Sequence, residues 1–260
     1  MSRYDVFAAY YDALTDDVDY AHRASYLRQL LLRFGVPDGT LLDLACGTAS
    51  MTLEMASFGY EMIGVDASAE MLCAAQQKAF AGGHNILFLC QPMQRLDLYG
   101  TVRGTICTLD SLNHLTDPAD VRETIRRVSL FTEPDGVFLF DVNTMYKHRQ
   151  ILSDNTFIRE SEDLFCVWQN ERIDDGLVQI TLDFFERQED DVYIRSREQF
   201  CERAYEIDWL TQTLRENGFS VEAVFAEGTH SPPQSDTQRV VFAAIKKEVK
   251  SLKPTHDKKA

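Results

Sequence analysis

Two carboxylates and a glycine pose the first chemical question. Asp43 lies in the apolar run "TLLDLA", Gly47 follows in the loop "CGTAS", and Asp66 ends the next apolar run, "EMIGVD", 19 positions after Gly47. An acid at the tip of the strand after such a loop is placed to accept hydrogen bonds from both hydroxyls of a ribose. A helix opening after Gly47 would turn free N–H groups and a positive dipole end towards an anion. The loop, however, is poor in glycine. A dinucleotide site needs glycines at fixed offsets so that the backbone can approach a pyrophosphate. Here those offsets hold Ala45, Cys46, Ala49 and Ser50, and no Gly-Lys-Ser/Thr phosphate loop is present. The residues favour a nucleoside with a smaller anionic end, such as a carboxylate, and Asp43 is placed to hold an adjacent ammonium through the loop or a water. The plainer alternatives stay open: Asp43 as the cap of a helix or turn, Asp66 as a strand-end acid with no ligand.

Further along, His114 follows Asp110 by four positions in "CTLDSLNHL". It is a candidate general base or acceptor ligand, or else a histidine that bonds the backbone and shapes the loop. Tyr146 and His148, after "GVFLFDV", are candidates to line an acceptor pocket. Asp141 reads as structural. Trp168 reads as core, with the wall of a cationic acceptor as the alternative. Cysteines at 46, 73, 90, 107, 166 and 201 form no C-x-x-C pair, and no histidine pair has metal-ligand spacing, so no metal is expected. Most of these cysteines lie in apolar stretches, which suggests a reducing, cytoplasmic setting.

Positioning these groups requires alternating elements. Leu27, Leu30, Leu31 and Phe34 recur at helical spacing before Gly35 and Pro37. "TLLDLA", "EMIGVD", "NILFLC", "GTICTLD" and "GVFLFDV" then read as five buried strands with helices between them. Met51, Met55 and Phe58 mark one helix face. Ser68 caps the next helix, which runs to about Phe80, and Asp117-Pro118 starts another with Val121, Ile125 and Val128 on its core face. Apolar strands alternating with helices imply a parallel, doubly wound α/β sheet covered on both faces. After Thr144 the pattern changes. Residues 163 to 203 read as three antiparallel strands, an insert on the main sheet, with turns at Asp174-Asp175-Gly176 and Glu189-Asp190-Asp191. A helix through Ile207, Leu210 and Leu214 and the strands "FSVEAVFAE" and "RVVFAAIK" close the fold.

The bulk numbers exclude more than they identify. The chain has 260 residues and a formal net charge of -15. Residues 246 to 260 hold six Lys against Glu248 and Asp257, so the remainder carries -19. Such a surface repels phosphate backbones, which argues against nucleic acid and for a neutral or cationic small molecule. No apolar run approaches the ~20 residues of a membrane helix, and the start lacks signal-peptide features.

Adenine, ribose, ammonium and carboxylate are together the parts of S-adenosylmethionine. "LLDLACGTAS", "GVDAS" and "CTLDSLNHL" resemble the cofactor motifs of class I S-adenosylmethionine-dependent methyltransferases. With the opening "YDVFAAYYDALTDDVDY", the chain is similar to a small-molecule branch that includes amino-sugar N-methyltransferases and uncharacterised bacterial relatives. The resemblance covers residues 4 to 247. It implies a Rossmann-like sheet of seven strands, six parallel and one antiparallel, in a methyltransferase domain over 1–247. Its N-terminal lid would span about 1–38 and its antiparallel β insert about 150–203, with a disordered basic tail at 248–260. It also implies roles. Asp43, Ala45, Cys46 and Gly47 would surround the methionine portion, Asp66 the ribose, and Ala67, Met71 and Met93 the adenine. Leu109 and Asp110 would lie near the transferred methyl, and Tyr11, or its neighbour Tyr10, and Tyr20 would come from the lid. Position 49 is Ala where the family usually has Gly, and position 92 is Pro where many members carry Asp. The implied enzyme methylates a small-molecule acceptor as a monomer or homodimer. The rivals are a cofactor-binding module without turnover and an enzyme using another nucleoside cofactor.

Overall fold

The alternation of apolar runs and helical periods builds a doubly wound sheet. A computed structural model describes residues 10–12, 14–161, 163–188 and 192–247. Seven strands form the main sheet: β1 (Thr40–Leu44), β2 (Glu61–Asp66), β3 (Leu87–Cys90), β4 (Val102–Cys107), β5 (Thr132–Asn143), β10 (Phe219–Ala226) and β11 (Arg239–Lys246). Their order is β10-β11-β5-β4-β1-β2-β3. Strand β11 pairs antiparallel with both β10 and β5, and the pairs among β1 to β5 are parallel, which gives the expected six-plus-one sheet.

Strand periodicity assigns the two faces. Leu42, Leu44, Phe138, Phe140 and Phe242 point to one side, where they pack on Val121, Ile125 and Val128 of helix α4 (Pro118–Phe131) and Leu210 and Leu214 of α5 (Ile207–Glu216). Leu41, Leu139, Val241 and Ala243 point to the other, against Leu27, Leu30 and Leu31 of α1 (Tyr20–Arg33) and Met51 and Met55 of α2 (Ser50–Ser57). Helix α3 (Ala69–Ala81) follows β2 and is capped by the Ser68 hydroxyl, which accepts from Met71 N at 3.2 Å. The chain winds one way from β1 to β3 and the other way from β4 onward. The crevice between the carboxyl ends of β1 and β4 is therefore the switch point at which such sheets bind ligands.

The three strands expected over 163–203 are present, β7 (Leu164–Arg172), β8 (Leu177–Arg187) and β9 (Tyr193–Arg203), and a fourth that the sequence reading did not include, β6 (Thr156–Glu160), precedes them. They form a separate antiparallel sheet, ordered β6-β7-β8-β9, and do not extend the main one. Asp174-Asp175-Gly176 makes the turn before β8, with Gly176 at φ 117° and Asp174 Oδ1 accepting from Leu177 N at 2.9 Å. The second expected turn, Glu189-Asp190-Asp191, and the tail at 248–260 lie outside the described residues. Val178, Ile180, Leu182 and Phe184 alternate along β8 into a small core that Tyr10 and Leu14 of the N-terminal segment help to cover. Among the described residues, no helix is long and apolar enough to cross a membrane.

Candidate active site

A cavity of about 820 Å³ opens at the switch point. Its floor is the loop after β1. Ala45, Gly47 and Ala49 alternate at φ 62°, 53° and 66°, all left-handed. For the two alanines this conformation costs about 1–2 kcal/mol each, so the surroundings must hold it. Asp66 supplies much of that hold. Its Oδ2 accepts from Gly47 N and its Oδ1 from Ser68 N, both at 2.9 Å. The carboxylate tip of β2 thus ties two loops together and still lines the cavity. Burial pushes its pKa up against the three backbone N–H groups that lower it. Ala49 is the N-cap of α2 and offers no side-chain oxygen to that helix's first turn.

Three consecutive residues stand around this floor. The ring of Tyr11 lies over Gly47, where an added Cβ would touch it at 3.8 Å, and glycine takes the left-handed φ there without steric cost. Asp12 Oδ1 accepts from the Thr48 hydroxyl at 2.7 Å, and its Oδ2 pairs with Lys78 at 2.6 Å. Tyr10 turns the opposite way, stacking on Phe184 with centroids 4.8 Å apart and donating to Glu186 at 2.9 Å.

The opposite wall is a buried polar network. Leu109 and Asp110, just after β4, are both left-handed at φ 55° and 53°. Asp141 on β5 holds that corner: its carboxylate accepts from Leu109 N at 2.9 Å and Asp110 N at 2.7 Å. Arg239, the first residue of β11, reaches Asp110 at 2.7 Å and Asp141 at 3.1 Å. Burial alone would raise the pKa of Asp110, but Arg239, Lys147 and His114 together hold it below the usual carboxylate range. Asn143 donates to Asp110 Oδ2 at 2.6 Å and accepts from Lys147 Nζ at 2.9 Å. One face of the insert sheet closes the wall with Trp168, Leu182, Phe200 and Glu202.

The structure brings most of the sequence candidates to this cavity. Tyr11, Ala45, Gly47 and Asp66 line it at the floor. Ala67, Met71 and Met93 line it on the β2–β3 side, next to Pro92, and Leu109, Asp110 and His114 do so at the far wall. Five candidates stand elsewhere. Asp43 is buried beneath the loop, where it accepts from the Thr52 hydroxyl at 2.5 Å, and burial raises its pKa to about 7. Cys46 is buried with its Sγ turned towards Gly64. Tyr20 opens α1 and packs with that helix's core instead of lining the cavity. His148 and Tyr146 do not line the cavity either: His148 is buried behind Glu202, and Tyr146 faces a smaller cleft. Lys147, between them, does line it. Burial lowers the pKa of His114 against the opposing charge of Asp110. Sequence reasoning missed Arg239, Asn143, Lys147 and Glu202. The one available signal was a lone arginine opening the otherwise apolar run "RVVFAAIK". Among the described residues, no group of three or more His, Cys, Asp or Glu is arranged to hold a metal ion.

The loop, the strand-end acid and the Tyr11 ring over Gly47 fit a nucleoside with a small anionic end, and comparison with known proteins agrees. Residues 41–136 match the family model described as a methyltransferase domain. The chain is 34% identical over 245 residues to a Geobacillus sp. (strain WCH70) protein that carries a provisional methyltransferase name, covering 94% of this chain and 99% of that one. Its structure superposes with a TM-score of 0.85 on an S-adenosylmethionine-dependent methyltransferase from Clostridium acetobutylicum, at 29% identity and covering 94% and 99% of the two chains. A sugar N-methyltransferase from Streptoalloteichus shares the fold, with a TM-score of 0.76 at 18% identity and coverage of 94% and 93%. The chain belongs to the S-adenosylmethionine-dependent methyltransferases.

Proposed function

We propose that this enzyme methylates a small-molecule amine held between the Gly47 loop and the insert sheet. The observation that carries the reading is a single cavity joining those two regions. At about 820 Å³ it falls in the range of ~300–1,000 Å³ typical of small-molecule sites, and the residues of segment 10–12 and the insert stand around it. When bound, S-adenosylmethionine supplies a methyl group made electrophilic by its sulfonium.

The chain's own residues do the rest. Asp66 takes the ribose hydroxyls on the acceptor positions that its backbone partners leave free. Ala67, Met71 and Met93 flank the adenine, where Pro92 has neither an N–H nor a carboxylate to offer. The Ala45–Gly47 backbone embraces the methionine end, with Asp43 and Cys46 supporting it from beneath. Leu109 and Asp110 face the transferred methyl. Methyl transfer is chiefly a matter of positioning, with the nucleophile within ~3–3.5 Å and in line, so a rigid corner at 109–110 suits it.

An amine is favoured on two grounds. Seven Asp or Glu side chains line the cavity against four Arg or Lys. Named relatives include a glycine/sarcosine/dimethylglycine N-methyltransferase from Actinopolyspora halophila and an amino pentose methyltransferase from Micromonospora echinaspora. The net charge of -15 disfavours a nucleic-acid acceptor, and six free cysteines suit the cytoplasm. The test is calorimetric titration with S-adenosylhomocysteine, followed by a screen of matched amine and alcohol metabolites read by S-adenosylhomocysteine release. Turnover confined to the alcohols would refute the amine reading.

A further inference from the structure

Four of the seven carboxylates lining the cavity differ in how they are served. Asp66, Asp110 and Asp141 each accept at least one hydrogen bond of 2.9 Å or shorter. Glu202 does not. Its side chain is only 6% exposed, yet its nearest partners stand off: Asn143 Nδ2 at 3.5 Å, His114 Nε2 at 3.7 Å and His148 Nε2 at 4.0 Å. It lies on the face of β9 that carries Phe200, and both side chains line the cavity. A buried carboxyl without a close donor is costly to ionise unless a ligand supplies the missing cation or donor. The space beside it is the part of the cavity that it lines together with Asp110, Lys147 and Arg239.

We propose that Glu202 receives the nitrogen of the acceptor and takes its proton before methyl transfer. This rests on the reading of the acceptor as an amine. The step balances simply: the acceptor ammonium's N–H bond breaks, the proton forms an O–H bond on Glu202, and both charges are neutralised. The freed lone pair is what methyl transfer consumes, and the proton leaves past His114, 3.7 Å from the Glu202 carboxyl.

The groups facing Glu202 explain why it can do this. Asp110 acts on it from the loop after β4, Lys147 and His148 from the turn after β5, His114 from the wall, Asn143 from β5 and Arg239 from β11. Burial and then Asp110 raise its pKa to about 8, against the lowering effects of Lys147, Arg239 and Asn143. An alkylammonium near 10 therefore faces a gap of about 2 units before its own charge acts on Glu202, and about 3 with the one-unit fall expected below, instead of the ~6 it would face with an ordinary carboxylate.

The test does not require the natural acceptor. The full chain is labelled with ¹³C at its glutamate carboxyls and saturated with S-adenosylhomocysteine, and the Glu202 line is identified by its loss in Glu202→Gln. Glu202→Asp gives the same assignment should the first variant not fold. The line is titrated from pH 5 to 9 with methylammonium chloride as the probe, and with tetramethylammonium chloride, which has no N–H, at equal ionic strength. The expected result is a midpoint at least one pH unit lower with methylammonium alone. A midpoint that stays put, or that moves equally with both salts, overturns the assignment. Calorimetry on the same sample separates the two readings: S-adenosylhomocysteine that binds beside an unresponsive Glu202 sinks only this proposal, whereas failure to bind sinks the cofactor reading itself.

Discussion

Replacing Asp66 by Asn tests the cofactor site most directly. A carboxylate offers about four acceptor positions. Gly47 N and Ser68 N, each at 2.9 Å, use one on each oxygen, the Ala67 N–H acts on the same carboxylate, and the ribose hydroxyls would take what remains. Asn keeps one oxygen and presents an NH₂ in place of the other. One loop bond and one diol bond are lost together, and a backbone N–H is left facing a donor. A hydrogen bond to a charged group is worth about 1.5–3 kcal/mol. Loss of the diol bond alone predicts S-adenosylhomocysteine binding weaker by about 10- to 150-fold. Asp66→Ala, which removes both diol bonds, should weaken binding by at least tenfold. Isothermal calorimetry at pH 7.5 measures this, with circular dichroism to establish that the fold persists. Affinity within threefold of wild type in a folded Asp66→Asn protein would refute the argument, because the strand-end acid would then hold only the loop.

Other perturbations have equally definite outcomes. Arg239→Met leaves Asp110 and Asp141 buried without their cation and should cost about 3–5 kcal/mol in urea unfolding; a loss under 1 kcal/mol would show the pair to be hydrated. Asp43→Asn addresses pH dependence. Burial raises the folded-state pKa of Asp43 to about 7, above its unfolded value, so its contribution is fully present below about pH 4 and is lost as pH rises towards 7. The Asn variant, with nothing to ionise, should therefore lose less stability between pH 4.5 and 8 than wild type, by on the order of 1–4 kcal/mol, and parallel urea midpoints would contradict this. Trp168→Ala removes a cavity wall on the insert, so S-adenosylhomocysteine affinity should stay within threefold; a tenfold loss by calorimetry would place Trp168 at the cofactor instead.

Legibility in the sequence followed the range of the signal. The floor of the site was readable because β1, the Gly47 loop, α2 and β2 are contiguous, and each carries its own punctuation: an apolar run, a glycine, a period of 3.6, a terminal acid. Strand β6 was not readable. It is an edge strand whose residues alternate between exposed and half-buried, so "TFIRE" carries little apolar pattern even though the turn residues Ser153-Asp154-Asn155 precede it. The polar wall was unreadable for another reason. Asn143, Glu202 and Arg239 come from three strands far apart in the chain, and no local spacing encodes their meeting. The setting of Asp43 beneath the loop was unreadable because a residue's position along a strand does not say whether its side chain points into a crevice or under a loop.

The turn of helix at residues 10–12 has a consequence for traffic through the enzyme. Successive side chains on a helix leave the axis about 100° apart, so one turn can grip three bodies at once. Tyr10 grips the insert sheet, Tyr11 covers the glycine, and Asp12 grips Thr48 and Lys78. These contacts share one helical turn, so a movement of that turn away from the cavity would break all three together. On the reading proposed above, the spent nucleoside and the methylated product would then leave past the same segment.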